Sequence, residues 1–286
     1  MKTKGLTATI IFQAESANYG ESIGNVSALK KISRDNGDLY TYISRQALRY
    51  NMIEQLGEET APVQAEGSGD KKVIQFDANA QINKYPEIDF FGYMKTEKGT
   101  SGQKRNAKVR LSNAISMETY KGDLDFLTNK GQADKIGEHM NIAQSEIHRS
   151  FYRYTITMDL DQIGIDGDIQ IDNAEKARRV NKLLDTIQFL YRDIRGRRED
   201  LKPLFIIGGV YDIKNPIFQN EVFVKENKVA VSDDVLPETM RQDTLSGVLK
   251  GIFDNETEIR ETWHATAVPV FFDALKSKVS AYYESN

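Results

Sequence analysis

The order of strand, helix and strand occurs in each half of this chain, and it limits the folds that the chain can adopt. Residues 6–13 alternate apolar and more polar side chains, which predicts a central strand that is largely buried. Residues 41–56 then predict a helix that stops at Gly57. Residues 87–94 follow as a second strand, so the first half contains one complete strand–helix–strand unit.

The second half repeats this order with a clearer pattern. Residues 151–160 alternate aromatic or apolar side chains with Arg153 and threonines, as a strand does. An amphipathic helix is predicted from Asp172, its N-cap, to Gly196, its C-terminal stop, and residues 203–211 form the next strand. The complete βαββαβ order is typical of RNA-recognition domains, so we predict an α+β, modified ferredoxin-like (RRM-like) fold with long insertions.

The remaining segments define the organisation that we expect for a single domain. They place the domain at 1–286, its core at roughly 5–60 and 145–215, a projecting insertion at roughly 73–145 and a helical C-terminal part at 216–286.

Composition changes within the insertion and the C-terminal part. Residues 95–108 are rich in Gly, Ser and Lys without periodicity, so they are predicted to be mobile, whereas 109–117 predict a short strand. Apolar spacing in the C-terminal part predicts helices at about 238–253 and 268–283.

The residue types present favour a reducing, non-membrane environment. Cysteine is absent, which excludes disulfides, thiolate metal sites and cysteine nucleophiles. No apolar run approaches the roughly 20 residues of a membrane helix, and the N-terminus lacks the pattern of a signal peptide. A cytoplasmic protein without a membrane partner is therefore expected.

Charge is unevenly distributed along the chain. The formal net charge is −4, which alone argues against nucleic-acid binding. However, residues 95–110 carry six basic side chains against one acidic side chain, and residues 176–198 carry eight against two. Basic patches on a mostly acidic protein are therefore expected.

Motifs that carry chemistry are missing. The chain has no GxxxxGK[ST], GxGxxG or GxSxG motif, and its three histidines show no metal-binding spacing. The acidic stretch from Asp159 to Asp172 resembles a calcium loop, but Ile163 stands where a ligand is needed, so a solvated hairpin is favoured. We expect no catalytic site, no metal and no cofactor.

Residues 41–49 indicate an anion site at the start of the first helix. Helix N-termini expose N–H groups with partial positive charge, and Arg45 and Arg49 would add charge-assisted bonds to phosphate. Ser44 acting as a simple N-cap, with both arginines in solvent, explains the same residues.

Four strings in this order resemble one family: GLTATIIF at 5–12, ISRQALRY at 43–50, DFFGYM at 89–94 and VRLSNAIS at 109–116. They are similar to the DevR-type backbone subunits of the CRISPR type I-B Cascade, in Cas family seven of the RAMP superfamily. The resemblance implies an RRM-like fold whose copies polymerise along a CRISPR RNA. It also implies partnership with other Cascade subunits, contact with a target DNA strand through guide pairing, and no catalysis.

The resemblance and the charge pattern together identify candidate RNA-binding residues. Those implied by the resemblance lie at the first helix and in a close-approach loop: Ser44, Arg45, Gln46, Arg49, Gly208 and Gly209. Those predicted from charge alone lie in the projecting element: Lys104, Arg105 and Arg110.

Two alternatives remain open from the sequence. Related backbone subunits of type III complexes cleave target RNA with a loop aspartate, and Asp35 and Asp38 follow the first strand. The other alternative is an interaction protein that assembles without RNA and whose basic patches bind acidic partners.

Overall fold

The computed structural model describes residues 3–34, 37–66, 72–96 and 102–286. The strands are β1 (Gly5–Ala14), β2 (Tyr19–Ile23), β3 (Val26–Leu29), β4 (Lys31–Arg34), β5 (Asp38–Ile43), β6 (Val63–Glu66), β7 (Val73–Phe76), β8 (Tyr93–Lys95), β9 (Gln103–Arg105), β10 (Val109–Leu111), β11 (Ala114–Ser116), β12 (Asp123–Thr128), β13 (Ile142–Ile147), β14 (Ser150–Asp159), β15 (Ile165–Asp166), β16 (Ile169–Gln170), β17 (Tyr191–Ile194), β18 (Arg197–Asp200), β19 (Phe205–Tyr211), β20 (Val222–Lys225), β21 (Lys228–Val231) and β22 (Thr244–Val248). The helices are α1 (Arg45–Leu56), α2 (Pro86–Phe91), α3 (Lys130–Ile136), α4 (Asn173–Gln188), α5 (Glu238–Arg241), α6 (Glu256–Thr262) and α7 (Val268–Glu284).

An antiparallel sheet of eight strands forms the centre of the fold. Its order is β22-β19-β1-β14-β11-β5-β4, and β10 also pairs with β14. The inner strands β19, β1, β14 and then β10 with β11 reproduce the spatial order of a ferredoxin-like βαββαβ unit. The predicted α+β fold class and the predicted strands at 6–13 and 151–160 are therefore confirmed.

Three helices cover one face of this sheet. Apolar side chains of β1 and β14 join those of α1, α4 and α7 in one buried cluster. Helix α4 contributes Val180, Leu183 and Leu184, and its predicted N-cap is confirmed because the Asp172 carboxylate accepts the Glu175 N–H at 2.8 Å. Burial of a continuous apolar face, at roughly 25 cal/mol per Å², is the main stabilising contribution to this layer.

The opposite face of the sheet packs against the C-terminal part of the chain. Phe205 and Ile207 of β19 contact a second buried cluster that includes Phe218, Val222 and Phe253. The predicted helical C-terminal part therefore also contains strands: the β20–β21 hairpin, and β22, which extends the central sheet beside β19.

The prediction of a strand at 87–94 is wrong except at Tyr93 and Met94, which belong to β8. Pro86 occupies the first turn of α2, where its missing N–H costs nothing, and Gly92 ends that helix with φ +73°. The alternation of Ile88 and Phe90 suits a strand equally well, so a six-residue helix could not be recognised from it. Strands β10 and β11 take the place of the predicted strand, so the predicted insertion is split into two parts.

Two predicted helices are also shorter than expected. In the predicted 238–253 helix only α5 is helical, because the next residues pair with β19 as β22. Helix α4 ends at Gln188, and Gly196 lies at the turn between β17 and β18 with φ +77°.

Residues 97–101 of the stretch predicted to be mobile lie outside the described residues. Within the described ranges, no helix is both long enough and apolar enough to cross a membrane.

Two buried tyrosines on β14 provide a test of the core. Both pack on Phe12, with ring centroids 5.8 Å away. Tyr152 donates to the His148 carbonyl at 3.1 Å and lies 2.7 Å from the Thr41 hydroxyl, whereas the Tyr154 hydroxyl has no hydrogen-bond partner among the described residues.

We expect Tyr152→Phe to lower the free energy of unfolding by about 1–2 kcal/mol, because it leaves buried partners unsatisfied. Tyr154→Phe should leave that free energy unchanged or raise it by about 1 kcal/mol, because it removes an unpaired buried hydroxyl. Urea unfolding followed by circular dichroism measures both, and equal losses in the two variants would contradict this description of the core.

Candidate nucleic-acid interface

Three arginines line a pocket between α1 and β10. Its volume is about 490 Å³. The residues around it come from α1, the end of α2 and the chain around β10: Arg45, Gln46, Arg49, Phe91, Ala107, Val109, Arg110 and Leu111. Charged and amide groups thus line a cavity that also has apolar walls. The structure brings four of the nine predicted site residues together here: Arg45, Gln46, Arg49 and Arg110.

Three backbone amides at the start of α1 are already bound by the protein. The N–H of Ser44 donates to Asn18 Oδ1 at 2.8 Å, and the N–H of Arg45 donates to Asn113 Oδ1 at 2.9 Å. Ser44 Oγ accepts the Ala47 N–H at 3.2 Å, so Ser44 is an N-cap. These three N–H groups are therefore occupied within the protein, so we consider the side chains as the anion-binding groups.

The side chains of α1 are well placed to supply them. Arg45, Gln46 and Arg49 are exposed, while Leu48 and Met52 anchor the helix in the core. Arg45 and Arg49 are four residues apart and therefore share one helical face. The Arg49 guanidinium lies 5.7 Å from the centre of the Phe91 ring, a cation–π contact that links α1 to the end of α2.

Arg110 faces these residues from β10. Its guanidinium makes a bidentate ion pair with Asp159, at 2.9 and 3.1 Å, and its side chain is 48% exposed. This pairing fixes the guanidinium beside the end of β14, while nearly half of the Arg110 side chain stays exposed.

Arg105, predicted from its charge to contact RNA, is buried and paired within the protein. Its side chain is only 3% exposed, and its guanidinium lies 2.6 Å from Asp89. Asp89 is fully buried and also binds Arg179 at 3.2 Å and the Gly164 N–H at 2.9 Å. Burial raises the pKa of the Asp89 carboxyl, while the Gly164 N–H and the two guanidiniums oppose the rise.

The prediction of a close-approach loop at Gly208 and Gly209 is wrong. Both lie inside β19, hydrogen-bonded between β1 and β22. A Cβ on Gly208 would lie 2.1 Å from the Thr7 carbonyl oxygen, and one on Gly209 would lie 2.6 Å from the Asp243 carbonyl oxygen. These glycines serve packing between strands.

Lys104 is exposed on β9, opposite Met94, and is not part of the pocket lining. The structure brings Phe91 and Leu111 to the pocket, which sequence reasoning missed. Both lie within the family-like strings, but apolar side chains there are equally typical of a core, so only the tertiary arrangement assigns them to the pocket.

The acidic stretch is distributed among protein contacts. Asp161 pairs with Lys214 at 2.7 Å, Asp166 accepts the Tyr93 hydroxyl at 2.8 Å and Asp172 caps α4. Across the described ranges, no group of three or more His, Asp or Glu side chains is arranged to hold a metal ion.

Comparisons with known proteins agree with the family resemblance. The family model described as CRISPR-associated negative auto-regulator DevR/Csa2 matches residues 6–233. Among solved structures, a chain of a "CRISPR RNA-guided surveillance complex, pre-nicking" superposes with a TM-score of 0.63 at 11% identity, covering 96% of this chain and 100% of that one. A chain of a second "CRISPR RNA-guided surveillance complex" gives a TM-score of 0.53 at 16% identity, with 99% of each chain covered. No curated protein matches.

Asp89→Asn should destabilise the protein by about 3–5 kcal/mol, because it leaves two buried guanidiniums without a full countercharge. Chemical unfolding monitored by tyrosine fluorescence measures this loss. The matched control is Asp193→Asn, which breaks an exposed pair with Arg198 and should not change stability measurably. A wild-type midpoint for Asp89→Asn would show that the buried cluster does not hold the fold together.

Proposed function

Because the chain belongs to the DevR/Csa2 family of CRISPR-associated proteins, we propose that it is an RNA-binding backbone subunit of a CRISPR type I-B Cascade. The observation that carries this proposal is the convergence of Arg45, Arg49 and Arg110 on one pocket. The family supports a role in a CRISPR surveillance complex; the subtype and the RNA contact are our own inference.

The pocket suits the phosphate backbone of RNA. Guanidinium groups bind phosphate oxygens through paired N–H donors, and such contacts carry no base sequence. A guide-binding backbone subunit needs this property, because the spacer sequence differs from one guide to another. The Gln46 side-chain amide can donate further hydrogen bonds to phosphate or ribose from the same side of the pocket.

The partners in this proposal follow from the complexes whose chains share the fold. Those structures are described as CRISPR RNA-guided surveillance complexes. We accordingly assign as partners a CRISPR RNA, other Cascade subunits, further copies of this chain along the guide, and a target DNA strand that pairs with the guide. In this role the protein scaffolds the guide and catalyses no reaction.

The double variant Arg45→Ala/Arg49→Ala tests the proposed contact between α1 and RNA phosphates. Each phosphate contact on a single strand contributes roughly 0.7 to the magnitude of the slope of log K against log salt. If each arginine contacts one phosphate, the magnitude of this slope should decrease by about 1.4 in the double variant. Fluorescence anisotropy with single-stranded RNAs of unrelated sequence, across a salt series, measures the slope and shows whether sequence matters.

The control is Arg195→Ala/Arg198→Ala, which removes the same charge from exposed residues of the β17–β18 hairpin, outside the pocket. This double variant should keep the wild-type slope. A wild-type slope in Arg45→Ala/Arg49→Ala with normal folding, or strong preference for one short RNA motif, would contradict the proposed contact.

An RNA cleavage assay separates this function from that of RNA-cleaving type III subunits. Asp38 is exposed at the start of β5, and Asp35 lies outside the described residues. The assembled complex should leave a guide-complementary RNA intact in Mg²⁺ or Mn²⁺, as judged by denaturing gel. Specific cleavage that is lost in Asp35→Ala or Asp38→Ala would instead establish the type III function.

A further inference from the structure

We propose that Arg105 is a positioning residue of the RNA pocket: it holds the 105–110 segment so that Arg110 and Phe91 face Arg45 and Arg49. This inference rests on the proposed function, because it concerns the same pocket. It assigns Arg105 an indirect role in RNA binding, in place of the direct phosphate contact that its charge suggests.

Arg105 is fixed by groups from two separate parts of the chain, α2 and the 162–166 segment. Its guanidinium binds the Asp89 carboxylate of α2 at 2.6 Å and the Gln162 carbonyl at 3.2 Å, and it also donates to the Ile165 carbonyl. Asp166 lies 3.7 Å away. A guanidinium has five donors in a fixed plane and can satisfy this set, whereas a lysine ammonium cannot.

Gly92 fixes the same segment without any charge. Its φ is +73°, and a Cβ there would lie 2.2 Å from the Arg105 carbonyl oxygen and 2.8 Å from the Ala107 nitrogen. The Lys108 N–H donates to the Phe90 carbonyl at 2.8 Å. The end of α2 and the 105–108 segment therefore touch backbone to backbone, and only glycine permits this spacing.

These contacts set one wall of the pocket relative to the other. Ala107, Val109, Arg110 and Phe91 belong to the segments that Arg105 and Gly92 hold together, whereas Arg45 and Arg49 belong to α1. Simultaneous contact of one phosphate backbone with both walls depends on their separation. A small shift of the 105–110 segment should therefore weaken RNA binding even though Arg105 does not touch RNA.

A direct contact between Arg105 and phosphate conflicts with its surroundings. A phosphate would have to replace Asp89 at the guanidinium, which would leave a fully buried carboxylate short of a partner. Removing one partner from a buried ion pair is strongly unfavourable.

The test is a double-mutant cycle between Arg105→Lys and Arg110→Ala, measured as RNA affinity. Arg105→Lys keeps the positive charge but cannot make the same set of bonds. We expect it to weaken RNA binding about tenfold, comparable to losing one charge-assisted hydrogen bond. In the Arg110→Ala background the same change should have much less effect, because the group that it positions is already absent.

Gly92→Ala is the second variant, because Arg105→Lys could fail to fold. Gly92→Ala alters no charge. If its loss of RNA-binding free energy is not additive with that of Arg110→Ala, the loss comes from the displaced segment and not from a lost charge. The matched control is Arg192→Lys, which disrupts a buried ion pair with Glu199 outside the pocket. That control should lower thermal stability and leave RNA affinity unchanged.

Wild-type RNA affinity in folded Arg105→Lys or Gly92→Ala would overturn this inference. It would also be overturned if the fold-loss of affinity in a double variant with Arg110→Ala equalled the product of the two single fold-losses. The variant Arg45→Ala/Arg49→Ala tests the proposed RNA pocket separately from the positioning role of Arg105. If it lowers the salt slope while Arg105→Lys binds normally, only the positioning role fails. If neither change affects binding, the proposed RNA pocket fails as well.

Discussion

The buried carboxylate of Asp89 joins parts of the chain that are far apart in sequence. It binds Arg105 from the insertion, Arg179 from α4 and the N–H of Gly164 in the loop after β14. An unpaired charge in this position would be very unfavourable, so these segments must meet in one arrangement. The insertion is thereby fixed against the ferredoxin-like core, and the pocket between α1 and β10 has a defined width.

The arrangement of ion pairs also explains how an acidic protein can present a basic site. Most cations of the 176–198 stretch are neutralised within the protein: Arg178 by Glu58 and Glu175, Arg179 by Asp89 and Glu175, Lys182 by Glu58, Arg192 by Glu199, Arg197 by Glu15 and Arg198 by Asp193. Arg45 and Arg49, in contrast, form no salt bridge to any residue that the structure describes. The long basic run is therefore largely structural, whereas the two arginines of α1 remain available to a ligand.

The sequence predicts the secondary-structure elements that have a long, regular pattern. It does not predict short elements or side-chain burial, because these depend on tertiary contacts. Alternation over eight and ten residues predicts β1 and β14, because successive side chains of a strand point to opposite faces. The apolar stripe predicts α4, because it marks the face that packs on the core. The short α2 and β22 carry too few residues for a period to be distinguished. For the site, charge and resemblance selected Arg45, Arg49 and Arg110, which the structure brings to one place. Arg105 has the same charge, and only its tertiary neighbours show that it is buried.

The most direct test of the central claim is an experimental structure of the protein bound to single-stranded RNA. The account predicts phosphate oxygens at about 2.7–2.9 Å from the guanidinium nitrogens of Arg45 and Arg49, within the pocket that Arg110 and Phe91 complete. It also predicts that Arg105 remains paired with Asp89 in that complex. RNA bound on another surface, with the arginines of α1 facing solvent, would contradict it.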